Sequence, residues 1–70
     1  MGHLTDIIFY LNKLSVQNII EGYKNIMNVP NVNEYVMVND NCYKVVERLF
    51  DFDSNTVHIT VETVKRHFAR

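Results

Sequence analysis

Asp51, Asp53, Asn55 and Glu62 occupy positions 1, 3, 5 and 12 of the stretch DFDSNTVHITVE, residues 51–62. Oxygen ligands at that spacing are those of a calcium-binding EF-hand loop, closed by a glutamate that binds through both oxygens. Two features argue against the ion. The sixth position of such a loop needs positive φ, and here it holds Thr56, whose branched side chain resists that backbone. From there Val57, Ile59 and Val61 alternate with His58, Thr60 and Glu62, the pattern of a half-buried strand with one wet face. The stretch is therefore expected to be a polar turn at 51–56 followed by a strand. Asp51 and Asp53 should be exposed, and Val57, Ile59 and Val61 buried. Calcium binding through Asp51, Asp53, Asn55 and Glu62 remains a subsidiary alternative.

The other residues capable of chemistry are sparse. His58 and His67 could join Asp51, Asp53 or Glu62 around a metal, but a zinc site needs more ligands converging than any spacing here marks. Glu47 and Glu62 could form an acid–base pair, yet no nucleophile motif or glycine-rich phosphate loop accompanies them. Cys42 is the single cysteine, which excludes an internal disulfide; it reads as a small, half-buried apolar residue in a reducing compartment. The expectation is a protein without cofactor that is not an enzyme.

Lys65, Arg66, His67 and Arg70 interleave with Phe68 in the tail, residues that can touch phosphate or stack on bases. Residues 1–64 carry net charge −4 and residues 65–70 carry +3, so the basic footprint is short. A small nucleic-acid-associated regulator using this tail is the second function hypothesis.

Positioning these residues falls to two kinds of element. Leu4, Ile7, Ile8, Leu11 and Leu14 follow a helical 3, 4, 3 spacing, and Val16, Ile19, Ile20, Tyr23, Ile26 and Met27 repeat it with the stripe rotated by roughly 130°. Ser15 sits at the phase change as a good N-cap. The spacing predicts two helices, about 5–14 and 16–28, or one kinked helix. NVPNVN, residues 28–33, ends this helical part, because Pro30 cannot continue a helix and asparagine suits turns. From Glu34 the residues become β-formers. EYVMV and CYKVVERLF flank NDN as a hairpin with a three-residue loop, and residues 56–62 supply a third strand. Residues 43–50 also fit helical spacing, but the preceding turn favours a strand.

The predicted architecture is thus α+β: two N-terminal helices packed on a three-stranded antiparallel β-meander. It forms one domain with a helical part at 4–28, a β part at 34–64 and a basic tail at 65–70. The longest apolar run near the N-terminus, Ile7–Leu11, is too short for a signal-peptide core or a membrane span, so a cytoplasmic protein is expected.

Seventy residues bury only about 60% of their unfolded surface, yet 47% of this chain is hydrophobic. That surplus points to a partner, and Phe9, Tyr10, Tyr23, Tyr35 and Phe52 are the candidate interface anchors. The leading reading is a non-enzymatic protein–protein interaction module that self-associates, docks on a larger protein, or both. The run VMVNDNCYKVVERLFDFDSNTVHITVE resembles a pattern of small accessory proteins of tailed bacteriophages, and the AT-rich codon bias implied by many Asn, Ile, Tyr and Lys suits such genomes. The resemblance names no family and supplies no catalytic residue. It implies a partner in the host or the virion, and a host-cytoplasmic location.

Overall fold

The computed structural model describes residues 4–64. Thr5–Leu11 is not helical but the first strand, β1, and Ile19–Ile26 is the second, β2. They are followed by β3 (Tyr35–Val38), β4 (Asn41–Asp51) and β5 (Thr56–Thr63). The only helical element among the described residues is one 3-10 turn, Val16–Asn18. The α+β prediction is therefore corrected to a mainly β fold: one five-stranded sheet in the order β2-β1-β5-β4-β3. The chain from Tyr35 does run as three antiparallel strands, but they continue a larger sheet instead of carrying helices.

The helical reading failed for a physical reason. β1 lies between β2 and β5 and is covered on both faces, so Ile7 and Phe9 are buried on one side and Tyr10 on the other. A strand apolar on both faces loses its two-residue alternation, and its apolar run satisfies a 3, 4 spacing by coincidence. Asn12 and Asn25 adopt φ of 75° and 59°, left-handed conformations incompatible with a helix interior. Ser15 does cap a helical turn, its hydroxyl accepting from the Gln17 N–H at 3.2 Å, but that turn is three residues long.

Polar turn residues set the connections. Asn39 and Asp40 both have positive φ, 51° and 67°, the requirement of a two-residue hairpin turn, and Val38 pairs directly with Asn41. The loop is thus one residue shorter than predicted. Asn33, with φ 77°, shapes the connection around Pro30.

The sheet is held together by the one parallel pairing among the described residues, β1 beside β5, running from Asp6↔Thr56 to Leu11↔Val61. Residues directly opposite share a face, so Ile7 and Phe9 join Val57, Ile59 and Val61. With Val38, Tyr43 and Val45 these form the core, and Ile59, Val45 and Val61 have no exposed surface. Register breaks between Phe9 and Tyr10 and between Val45 and Glu47 are β-bulges, which add twist and bend the strands around this core. The bulge at Val46 also changes which side chains face inward. Beyond it Arg48 opposes Ile59 and Phe50 opposes Val57, so Arg48 and Phe50 lie on the core side and Glu47 does not.

The predicted wet face of β5 is only partly wet. Glu62 is exposed, His58 is half-buried, and Thr60 is 1% exposed with a hydroxyl that has no hydrogen-bond partner among the described residues. Central placement between β1 and β4, with Tyr10 beside it, accounts for this. Replacing such a buried hydroxyl by a methyl removes a desolvation cost. Thr60→Val should raise stability by about 1 kcal/mol, a rise in Tm of roughly 4–8 °C for a domain of this size. On the opposite face Ile59→Ala should cost about 2–5 kcal/mol. Thermal melts of the two variants check the assignment, since a destabilised Thr60→Val would mean the hydroxyl is satisfied.

Candidate functional site

The window that opens with Asp51 folds as a turn and a strand. Asp51 Oδ1 accepts from the N–H groups of Asp53 at 3.1 Å and Ser54 at 3.3 Å, closing the turn on itself. The positive φ falls on Asn55, at 55°, one residue before Thr56, which is free to begin β5. Asn55 Nδ2 donates to the Leu4 carbonyl at 2.9 Å, and the Asn55 carbonyl accepts from the Thr5 hydroxyl at 2.8 Å and the Asp6 N–H at 3.1 Å. The turn is therefore fastened to the start of β1.

Glu62 lies near the far end of β5, about 20 Å along the strand from Thr56. The calcium candidates are not brought together, and no cluster of three metal-ligating side chains occurs among the described residues. Asp53 is exposed as expected, whereas Asp51 is half-buried. Glu47 and Glu62 sit on different strands, Glu47 opposite Thr60 and Glu62 opposite Lys44. Cys42 is half-buried on β4. Lys65, Arg66, His67 and Arg70 lie outside the described residues.

One polar chain does cross the sheet. The Tyr10 hydroxyl and His58 Nδ1 share a hydrogen bond of 2.8 Å, and His58 Nε2 faces Asp51 Oδ2 at 3.9 Å. The Ser54 hydroxyl, then the Ser54 and Asp53 N–H groups, hold the Asp51 carboxyl below its ordinary range, and His58 adds to this. Tyr10 is buried, and none of the four principal hollows among the described residues is lined by Tyr10 or His58. The chain of contacts ties β1, β5 and the turn together, and its Asp51 end borders two of the hollows.

What this framework presents is aromatic. The turn holds Phe52 88% exposed, with its ring stacked on Phe50 at 6.3 Å between centroids. The Arg48 guanidinium lies 5.0 Å over the Phe50 ring and Nη1 donates to the Pro30 carbonyl at 3.4 Å, an arrangement made possible by the bulge at Val46. Met27, 61% exposed, and Val29 join the two phenylalanines around a hollow of about 210 Å³.

The five predicted anchors divide. Phe9 and Tyr10 are core residues, and Phe9 meets Tyr23 edge-on at 5.9 Å. Tyr23, Tyr35 and Phe52 are exposed. Sequence reasoning missed Phe50, Met27 and Arg48. The spacing of Phe50 and Phe52 about Asp51 was a visible sign, since two aromatics flanking a turn residue can fall on one face of a strand end.

No protein-family model matches the chain, and no curated protein or solved structure does either. The likeness to small phage accessory proteins and the expected self-association thus rest on the sequence alone. No helix among the described residues is long and apolar enough to cross a membrane.

The lowered Asp51 pKa has a definite sign. A carboxyl depressed in the folded state stabilises it above the unfolded value of 3.8, and that contribution is lost as pH falls through the folded value. Unfolding midpoints taken from pH 6 down to pH 2 should fall more steeply below about pH 4 for the native protein than for Asp51→Asn. Parallel curves would show that the carboxylate contributes nothing to the turn.

Proposed function

We propose that this protein is a non-enzymatic protein–protein interaction module whose primary contact is the aromatic tip between β4 and β5. The observation that carries the reading is Phe52, 88% exposed on a turn that its own hydrogen bonds and those to β1 hold in place. A large apolar side chain on a fixed backbone loses little conformational freedom on binding, which is why aromatic residues serve as anchors. Phe50, Met27 and Val29 widen the tip into a patch with a shallow hollow, and contiguous apolar surface of this kind marks contact sites. Arg48 gives the patch a cation that can meet a carboxylate or carbonyl at its rim.

An enzymatic reading has less support, because of the Tyr10–His58–Asp51 chain only Asp51 borders a hollow, while Tyr10 and His58 line none of the four. The acidic balance of residues 1–64 also disfavours a phosphate-binding face.

The test is affinity capture with two baits, the native protein and Phe52→Asp, both checked for fold by circular dichroism. Phe52 has few neighbours to lose, so the variant should fold normally with a stability change within about 0.5 kcal/mol. A partner retained by the native bait should be lost, with affinity reduced at least about tenfold if Phe52 is an anchor. Equal retention by the two baits would overturn the assignment of the tip.

A further inference from the structure

Arg48, Phe50 and Phe52 are alternate residues at the end of β4 and form one ladder of flat groups. The Arg48 guanidinium lies 5.0 Å from the Phe50 ring centre, and the Phe50 and Phe52 rings stack at 6.3 Å with planes 26° apart. The next alternate residue, Ser54, has turned back with the chain, its N–H donating to Asp51 Oδ1 at 3.3 Å. Phe52 therefore ends the ladder, 88% exposed. Beside it opens a hollow of about 360 Å³ lined by Leu49, Phe50, Asp51, Phe52 and Asp53. It is distinct from the hollow that Met27 and Val29 share with the two rings.

The two carboxylates of this hollow are not equivalent. Asp51 is committed, since Oδ1 accepts from two turn N–H groups and Oδ2 faces His58 Nε2 at 3.9 Å. Asp53 is exposed, and its carboxylate has no hydrogen-bond or ion-pair partner among the described residues. The described cations are engaged or distant. Arg48 lies at the other end of the ladder and bonds to the Pro30 carbonyl. Lys24 is held by Asp6 at 3.3 Å, and Lys13 and Lys44 stand toward the end of the sheet where Leu11 pairs with Val61.

These facts constrain what can cover the tip. A partner that covered Phe52 with apolar groups alone would strip water from Asp53 and leave a desolvated, unpaired carboxylate. That cost is comparable with the gain from burying the ring. A cation removes the cost and also gains from the ring face. Arginine suits the place better than lysine, because its guanidinium is flat, weakly hydrated and carries its donors in a fork. It can lie on a ring and bond to a carboxylate at once, while its methylene stem covers apolar surface such as Leu49, 51% exposed. The chain already uses the same pairing at the inner end of the ladder, where Arg48 lies over Phe50. The net charge of −4 on residues 1–64 favours the approach of a cationic partner.

We propose that the tip recognises an arginine side chain of a partner protein, its guanidinium stacked on the outer face of Phe52 and its N–H groups bonded to Asp53. This rests on the protein-binding reading of the tip and names the chemistry its partner must carry.

The probe is a capped peptide with one arginine between two valines, titrated into isotope-labelled protein and followed by amide chemical shifts. Shifts should concentrate at residues 50–53 and weaken as salt is raised. Citrulline in place of the arginine keeps the shape without the charge and should bind about fivefold more weakly or worse. Lysine should bind at least about twofold more weakly. Asp53→Asn, which breaks no contact of the folded chain, should lower affinity for the arginine peptide about two- to fivefold. Phe52→Leu keeps an apolar side chain without the ring face and should lower it by a similar factor, about two- to fivefold. Equal binding of the citrulline or lysine peptide would overturn the proposal, as would shifts elsewhere or none at millimolar peptide. Concentration-dependent shifts at residues 50–53 without peptide would assign the site to a second copy and overturn the separate partner. In the capture experiment, a partner lost with Phe52→Asp but held equally by Asp53→Asn would remove the arginine assignment and leave the tip. Arginine-specific shifts at residues 50–53 with capture indifferent to Phe52→Asp would leave the arginine site and remove the tip as the primary contact.

Discussion

The parallel ladder between β1 and β5 makes one body out of two pieces of sheet. The first piece is the β1–β2 pair, and the second is the antiparallel run β3–β4–β5. An isolated strand pair is marginal in water, and a three-stranded meander buries only one face. Joining them places Ile7 and Phe9 against Val57 and Ile59 and makes β1 and β5 the interior strands. The other features follow from that pairing. The 51–56 turn can fasten to Leu4 and Thr5 only because Thr56 lies beside Asp6, and the fastening is what fixes Phe52. The edges left over, β2 and β3, face each other because the central pair sets the direction of the curl.

Much of the second half of the fold was legible in the residues. The alternation of Val57, Ile59 and Val61 identified a strand and its buried face, and the Asn and Pro clusters identified the turns. The first half was not, because IIFYL places apolar residues on both faces of an interior strand, and periodicity then carries no information about helix or strand. The better evidence lay in composition. Repeated isoleucines with Gly22, Asn12 and Asn25 among them make a poor helix, and weighting those residues over the stripe would have favoured strands. The parallel pairing and the bulge at Val46 are tertiary facts that no local pattern encodes. Of the candidate surface, Phe52 could be named from the sequence, but the rotation of Arg48 and Phe50 onto its side depends on the bulge.

Asparagine does in this chain what glycine does in most. Among the described residues, those with positive φ are five asparagines and Asp40, and Gly22 is not one of them. The Asn and Asp side chains tolerate this region through local hydrogen bonding, as Asn55 shows by reaching the Leu4 carbonyl while its own backbone turns. A glycine there would allow the turn but not the tether. At the 51–56 turn the choice of asparagine thus makes an anchored corner, and the exposed aromatic tip inherits its fixed position from it.

The separation of β1 from β5 also imposes an order in time. Thr5 and Asn55, bonded in the folded protein, are fifty residues apart in the chain. At translation rates of about 5–20 residues per second, β1 emerges roughly 3–10 s before the strand that covers it. During that interval its apolar side chains have only β2 for shelter, and both edges of the pair are open to other chains. Closing so long a loop is also slow relative to local hairpins, which form in about 1–10 μs. A nascent chain of this protein is therefore most exposed to aggregation before β5 arrives, and the temperature and crowding at which it is made should govern its yield more than the strength of its finished core.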